Sequence, residues 1–329
     1  MAPLDLSGAI SWLLEPDNQS VRYWALRDLE GRKASDPEVV KARHAVMTSH
    51  PVKEILAAQN PGGWWESEVD IYLPKYTATT HSLMILSELG AERTQAVEKG
   101  IEQVYRFQRY SGHFLTDLPR TEKGKASTIR DGCCFDGNIL RYLVLFGYLD
   151  DPRTSRVIDF LVGDHDDEIA GWKCRSYPIN RNGVFPKNCY MGATKALRGL
   201  ATIPPEKRSR EVSAVINREV ESILENGVYR YLRNADGSRR DKAGWKRFGF
   251  PLFYQSDALE VLDTLASLGV RDERLQPAID LVLDARRPDG RWVLENTFNG
   301  KMWVDIEEKG MPSRWITLRA VRAIQRLDI

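Results

Sequence analysis

Four side chains have the chemical character and the sequence context of general acids or bases. His81, Asp136 and Asp257 lie at or soon after the starts of predicted helices, and Asp305 lies in a long loop beside Trp303. Histidine and carboxylic acids are common proton donors and acceptors in enzymes. Each also has a structural interpretation, because histidine can be a satisfied core residue and aspartate is favoured as a helix N-cap.

Three cysteines also lie where predicted helices begin: Cys133, Cys134 and Cys189. The N-terminus of a helix lowers the pKa of a nearby thiol, so these side chains have the context of nucleophilic thiolates. The structural alternative is that they are buried core residues, which is common for cysteine outside disulfides.

Aromatic residues concentrate in the long loops and at the helix starts that follow them. The segment 245–255 alone contains five. Such residues can bind an apolar or cationic molecule through buried area and cation–π attraction, or they can anchor a loop to the core. The candidates for substrate binding are Trp64, Tyr76, Tyr190, Trp245, Phe250, Tyr254, Trp303 and Trp315.

These residues are embedded in a repeat. Three helical segments, 83–90, 140–147 and 259–269, each end in glycine and are followed by a turn and a second amphipathic segment. Glycine is the usual residue just after a helix, so the glycines mark helix ends. Corners in which glycine is followed closely by an aromatic residue recur at Gly63, Gly112, Gly171, Gly227 and Gly290.

The repeat predicts an all-α ring in which inner helices alternate with outer ones. The expected inner helices are 21–30, 77–89, 135–146, 190–200, 255–268 and 314–327. Long segments at 62–76, 109–133, 171–189, 229–252 and 287–312 are expected to cluster at one rim, over a central cavity. No linker divides the chain, so the expectation is one domain over 1–329.

Composition narrows the range of functions. The 47 basic and 46 acidic side chains among 329 residues nearly cancel, which argues against a general nucleic-acid binder because such proteins need a basic surplus. No transmembrane segment or secretory signal is predicted. The expected localisation is cytoplasmic.

The corner Gln59–Trp64, with the sequence QNPGGW, resembles the Q-x-x-x-G-W corners of the terpenoid cyclase and protein prenyltransferase superfamily. Arg287–Trp292 resembles a second such corner that lacks the glutamine. The resemblance implies an (α/α)6 toroid, most similar to small stand-alone bacterial toroids described as cyclase-like or prenyltransferase-like. It is less informative about function, because one fold hosts several chemistries.

Two shorter motifs resemble parts of the same superfamily. Residues 131–135 (DGCCF) resemble the D-x-C-Y zinc motif of prenyltransferase β-subunits, and 187–190 (KNCY) resemble their His-x-Cys-Tyr motif with Lys187 in place of the histidine. The implied zinc ligands are Asp131, Cys133 or Cys134, and Cys189, with Cys174 or His81 as further candidates. Residues 164–167 (DHDD) resemble the D-x-D-D acid motif of class II cyclases, but they close an outer helix, which favours a solvated loop.

The resulting functional prediction is a small-molecule enzyme that acts on an apolar or isoprenoid-like substrate by acid–base or zinc–thiolate chemistry. One alternative is a carbohydrate enzyme of the polysaccharide lyase kind, in which aromatic, basic and tyrosine side chains at the rim bind a uronate and remove a proton. The other is a toroid that binds a ligand or a partner protein without catalysis.

Overall fold

Helices provide nearly all of the regular structure in the computed structural model, which describes residues 4–118, 132–173, 189–234 and 236–329. The helices are α1 (Ser7–Leu13), α2 (Gln19–Asp28), α3 (Pro37–Val46), α4 (His50–Ala57), α5 (Thr79–Glu88), α6 (Gln95–Tyr105), α7 (Cys133–Leu145), α8 (Pro152–Gly163), α9 (Tyr190–Ala201), α10 (Arg210–Glu225), α11 (Ala258–Ser267), α12 (Gln276–Asp284) and α13 (Arg314–Leu327). The strands of the described ranges form two short antiparallel pairs: β1 (Leu232–Arg233) with β2 (Arg239–Arg240), and β3 (Trp292–Val293) with β4 (Pro312–Ser313).

Six of these helices are buried on most of their circumference and form an inner ring. Every residue of α5 from Thr79 to Ser87 is buried, as is every residue of α11 from Ala258 to Ala266. A helix that is buried on all sides lies inside a protein, whereas an outer helix shows one buried face. The inner helices are α2, α5, α7, α9, α11 and α13.

The inner helices pack side by side in chain order and close into a ring. Contacts connect α5 to α7, α7 to α9, α9 to α11, α11 to α13, and α13 back to α2. The indole N–H of Trp24 in α2 donates to the carbonyl of Glu88 in α5 at 2.8 Å and completes the circle. Helices α1, α3, α4, α6, α8, α10 and α12 pack outside this ring. The predicted all-α toroid is confirmed, and the predicted bounds of the inner helices lie within three residues of those observed.

The corner glutamines connect successive repeats. The amide of Gln59 donates to the carbonyl of Gly63 at 2.9 Å and to that of Ala96, at the start of α6, at 2.8 Å. Gln108 makes the equivalent pair of bonds to Gly112 at 2.9 Å and to the first turn of α8 at 2.7 Å. Each glutamine therefore ties its own corner to the next outer helix.

Glycine is required at two of these corners. Gly63 and Gly112 both have φ of +103°, a conformation that residues with a Cβ rarely adopt. An added Cβ would lie 2.7 Å from the carbonyl oxygen of Lys99 at the first corner and 2.0 Å from that of Arg156 at the second. The close approach of corner and outer helix explains the glycine of the repeat.

A second anchor connects three of the corners to the following inner helix. The backbone N–H of the corner aromatic residue donates to a side-chain oxygen on the first turns of that helix, where it satisfies a buried donor. The pairs are Trp65 with Thr79 at 3.0 Å, Phe114 with Asp136 at 2.8 Å, and Trp292 with Thr317 at 3.1 Å. None of the helices in the described ranges is both long and apolar enough to cross a membrane.

Candidate active site at the helix starts

The starts of α5, α7, α9 and α11 meet at one rim of the ring, where the preceding loops also gather. His81 in α5 lies against Tyr254, which precedes α11, and Thr194 in α9 shares a hydrogen bond of 3.0 Å with Ser256. The loop before α13 reaches the same rim, because the indole of Trp303 donates to the carbonyl of Thr77 at 2.9 Å. This placement agrees with the prediction that the long loops share one rim.

An aromatic group surrounds His81, and we call it the His81 cluster. Its members are Tyr72, Tyr76, His81, Phe253, Tyr254 and Phe298. The ring centroids of the tyrosines and phenylalanine that touch His81 lie 5.2–5.9 Å from the imidazole. The Tyr254 hydroxyl is 3.3 Å from Nε2, and Nδ1 is buried with no hydrogen-bond partner in the described part of the chain.

The surroundings keep His81 and Tyr254 uncharged. Burial, helped by the nearby cation of Lys75, lowers the pKa of His81 to about 3, so the imidazole is neutral at pH 7. Burial and the neighbouring Tyr72 raise the pKa of Tyr254 well above its usual value, so its hydroxyl stays protonated. Loss of hydration disfavours the charged form in both cases.

A cavity of about 390 Å³ opens beside this cluster, and we call it the rim cavity. Its size falls in the usual range of small-molecule sites. The apolar part of its wall is Met191, Trp245, Pro251, Leu252 and Phe298, and the polar part is Lys242, Arg247, Gln255, Ser256, Asp257, Asn296 and Thr297. Phe298 belongs to both the His81 cluster and this wall, so the two are contiguous.

Asp257 is the buried carboxyl group of the rim cavity. It is the N-cap of α11 and accepts hydrogen bonds from the backbone N–H of Glu260 at 2.7 Å and of Gly249 at 2.9 Å. The structural interpretation as a cap is therefore confirmed. Burial and the charge of Glu260 nonetheless raise its pKa to about 6, so a proton is exchanged near neutral pH.

Four of the other predicted aromatic residues form two separate stacks. Tyr190 stacks on Tyr231 with centroids 4.3 Å apart, and Trp245 packs against both rings. Phe250 stacks on Trp315 at 4.2 Å with nearly parallel rings. Trp245 also lines the rim cavity, whereas Trp315 lines a separate, smaller cavity within the ring.

Three predicted site residues have positions that suit structural roles. Trp64 folds back over Gly62 in its own corner, beside outer helix α6. Asp305 is exposed and accepts a hydrogen bond from the backbone of Gly300 at 2.7 Å. Asp136 is the anchor of the corner at Phe114. In the loop before α13, the carboxylate of Glu307 accepts hydrogen bonds from the backbone N–H groups of Arg314 and Trp315. Burial raises the pKa of this group.

The cysteines approach one another at the starts of α7 and α9. A Cβ placed on Gly192 would lie 2.6 Å from Sγ of Cys133 and 3.1 Å from Sγ of Cys189. Cys134 lies close enough to Tyr254 to contribute to the raised pKa of that hydroxyl. The structure describes 4–118, 132–173, 189–234 and 236–329, so the predicted ligands Asp131 and Cys174, and also Lys187, lie outside the described residues.

No group of three potential metal ligands occurs within those described ranges. Two neighbouring thiols do not complete the four-coordinate shell that zinc prefers. Zinc therefore stays a prediction, and no chemical step is assigned to a metal.

The acidic tetrad 164–167 forms an outer loop, as its position after an outer helix predicted. Asp166 pairs with Lys173 at 2.7 Å, and Asp167 is largely exposed. The histidine of the tetrad differs from these two residues. The side chain of His165 is fully buried, and its Nε2 lies 2.8 Å from Oε1 of the buried Glu219. Sequence reasoning assigned no role to this histidine.

Sequence reasoning also missed a network of charged side chains inside the inner ring. Its cations are Arg141, Lys195, Arg198, Arg319 and Arg322, and its carboxylates are Asp28, Glu88, Glu260 and Asp263. We call this the inner-ring ion network. Every member lies on an inner helix, with the carboxylates between the cations.

The contacts of two carboxylates, Glu260 and Glu88, illustrate how the network is built. Lys195 and Glu260 are almost completely buried and their charged atoms are 2.6 Å apart. Glu88 lies 2.9 Å from Arg141 and 2.8 Å from Arg198. Burial alone would raise the pKa of Glu88, but the surrounding guanidinium groups hold it well below its usual value. The centre of this toroid is therefore strongly polar.

Comparisons with known proteins give similarities of fold. Neither a protein-family model nor a curated protein matches the sequence. Among solved structures, the type II terpene cyclase MstE from Scytonema is similar at 12% identity and a TM-score of 0.47, over 97% of this chain and 96% of that one. An unsaturated glucuronyl hydrolase specific for heparin is similar at 11% identity and a TM-score of 0.48, over 98% and 85% of the two chains. A protein from Actinoplanes is similar at 14% identity and a TM-score of 0.47, over 98% of both chains.

Proposed function

We propose that this chain is an acid–base enzyme that binds a small, largely apolar molecule in the rim cavity, with Asp257 as the proton donor. The observation that carries the proposal is a buried carboxyl group with a pKa of about 6 in the wall of a cavity of about 390 Å³. A general acid works best when its pKa lies near the operating pH.

The wall of the rim cavity suits the substrate of such an acid. Trp245, Leu252 and Phe298 offer apolar and aromatic surface that stabilises an isoprenoid-like chain and any positive charge formed on it after protonation. Once Asp257 has lost its proton, the N–H groups of Gly249 and Glu260 stabilise the carboxylate. The carboxylate of Asp257 then takes a proton back from the cation, which restores the acid, while burial keeps the imidazole of His81 neutral.

Replacement of Asp257 by asparagine tests this proposal without removing the cap. Asparagine is as good an N-cap as aspartate, so α11 keeps its start, but the side chain no longer has an acidic proton. We expect Asp257→Asn to keep the fold and to lose at least about a hundredfold in the rate of converting an isoprenoid alcohol or polyene, the usual contribution of a general acid. Product formation is followed by gas chromatography with mass spectrometry.

A matched control is Asp272→Asn. Asp272 also caps a short helical turn, but it lies on the outer wall, and its pKa is lowered to about 2 by bonds to Arg274. This variant should keep full activity. Full activity in Asp257→Asn, or equal losses in both variants, would refute the role of Asp257.

A second candidate function rests on the two basic side chains of the rim cavity. Lys242 and Arg247 line its wall, and a carboxylated sugar would place its charge between them while stacking on Trp245. The test is to incubate the protein with uronate oligosaccharides and to measure the ultraviolet absorbance of an unsaturated product. Lys242→Gln should abolish this activity, whereas Lys246→Gln should not, because Lys246 pairs with Asp241 at 3.2 Å and is absent from the wall.

A further inference from the structure

Two residues that line a small cavity within the inner ring each have a buried hydrogen-bond donor with no acceptor in the described part of the chain. The cavity measures about 30 Å³ and lies between α2, α5, α7 and α13. Trp315 and Arg319 line it, and neither the indole Nε1 of Trp315 nor Nη2 of Arg319 has a hydrogen-bond partner in the described ranges. Both side chains are only 3% exposed, so bulk water does not satisfy them. A buried donor without an acceptor is costly.

The two donors point to the same place because of helix geometry. Trp315, Leu318, Arg319 and Arg322 follow the spacing i, i+3, i+4, i+7, and all four line the cavity. Residues at this spacing share one face of a helix. One stripe of α13 therefore brings a tryptophan and two arginines to a single small space, and Arg141 adds a third arginine from α7. Glu88, on α5, also lines this space, and Arg141 lies 2.9 Å from its carboxylate.

Charge in the surrounding network favours a negative occupant. The inner-ring ion network contains five cations, of which Lys195, Arg198 and Arg319 are buried, and four carboxylates. Arg326, one third exposed and 3.7 Å from Asp263, adds a sixth cation. Asp257, with a pKa of about 6, is mostly ionised at pH 7 and adds a fifth carboxylate, so the cations still outnumber the carboxylates by one. Arg319 is 3.6 Å from Glu88, too far for a hydrogen bond. Buried charge is stable only when it is paired.

We propose that this cavity binds one monovalent anion of chloride size, held by Nε1 of Trp315 and Nη2 of Arg319. Its volume of about 30 Å³ is roughly twice the minimum needed for one water molecule. That space suits a single halide and is too small for sulfate or phosphate. The anion balances the charge of the network where α13 closes the ring against α2 and α5.

Two measurements test the proposal on the full chain. The first is the melting temperature in sodium chloride against sodium gluconate at equal ionic strength, in which a saturable rise of several degrees is expected with chloride alone. The second is a crystal grown in sodium bromide, in which anomalous scattering should show one bromide within hydrogen-bond distance of Trp315 and Arg319.

Trp315→Phe is the informative variant, because it removes the indole N–H and keeps an aromatic ring against Phe250. It should fold and lose most of the chloride effect. Trp292→Phe is the matched control, since the indole of Trp292 already donates to the carbonyl of Val282 at 2.7 Å. It should melt at a lower temperature and keep the chloride effect.

Equal melting temperatures in chloride and gluconate would overturn the proposal, and so would a bromide-free cavity that contains only water. An unchanged chloride effect in Trp315→Phe would also overturn it. Arg319→Gln is a less useful variant, because Arg319 neighbours Glu88 in the network and its loss endangers folding.

Discussion

The buried ion pair between Lys195 and Glu260 gives a sharp prediction about stability. Lys195 is completely buried, Glu260 is 3% exposed, and their charged atoms are 2.6 Å apart. Lys195→Met keeps most of the side-chain volume but removes the cation. Removing one partner of a buried pair typically costs 3–5 kcal/mol, because the remaining charge stays buried without compensation. Arg198 still lies 3.1 Å from Glu260, so we expect the lower end, about 3 kcal/mol.

The chain offers a control with the same chemistry at the surface. Lys207 lies 2.8 Å from Asp150, and both side chains are largely exposed. Lys207→Met should therefore cost less than about 1 kcal/mol. Urea unfolding monitored by circular dichroism measures both variants. In Lys195→Met/Glu260→Gln, the two changes should cost less than the sum of the single changes, because neutralising Glu260 removes the unpaired charge. A cost for Lys195→Met no larger than that for Lys207→Met would refute the reasoning.

Three further predictions concern other parts of the ring. Because the folded-state pKa of Asp257 is raised from 3.8 to about 6, its contribution to stability is present below pH 3.8 and is lost as the pH rises through 6. The stability of Asp257→Asn relative to the wild type, measured by urea unfolding, should therefore rise by about 2 kcal/mol between pH 4 and pH 7, and no pH dependence of this difference would contradict the raised pKa. Gly137→Ala should lower the free energy of unfolding by about 3 kcal/mol in the same assay, since its Cβ would lie 2.6 Å from the backbone of Lys195 and Ala196. The control Gly8→Ala, with open space around it in α1, should raise the free energy of unfolding by about 0.5–1 kcal/mol. Similar effects of both changes would argue against close packing of α7 and α9. If the cysteines bind zinc, elemental analysis of protein purified without chelator should find about one zinc per chain and Cys189→Ala should remove it, while a wild-type chain free of zinc would end that prediction.

The ring could be predicted because its local signals repeat. Glycines after helices and glycine–aromatic corners are set by backbone geometry, as Gly63 and Gly112 show, and backbone geometry is readable from residue type. The position of Asp257 at the rim followed from the helix starts. The anchoring role of Asp136 also follows from the repeat. After its glycine–aromatic corner it occupies the position that Thr79 and Thr317 occupy after theirs.

The inner-ring ion network could not be predicted in this way. Arg319 and Arg322 follow helical spacing and look like the solvated face of an amphipathic helix, and Lys195 looks like one isolated charge. Their burial depends on six helices closing around them, which is a property of the assembled ring. One signal was present in the sequence, because the face of α13 opposite these arginines is apolar. If that apolar face packs against the outer helices, the arginines face the interior of the ring, where their charges need partners.

Closure of the ring has a consequence for how its stability is distributed. Open solenoids need special terminal repeats, because their first and last units have an uncovered face. Here α1 packs against both α2 and α13, and the guanidinium of Arg286 donates to the backbone of Asp5 at 2.7 Å, so the first and last helical hairpins are each other's neighbours. Every hairpin therefore has a neighbour on both sides, and the interface between the first and last hairpins is one of six. A circular permutant that joins α13 to α1 and opens a surface turn elsewhere would keep all six interfaces.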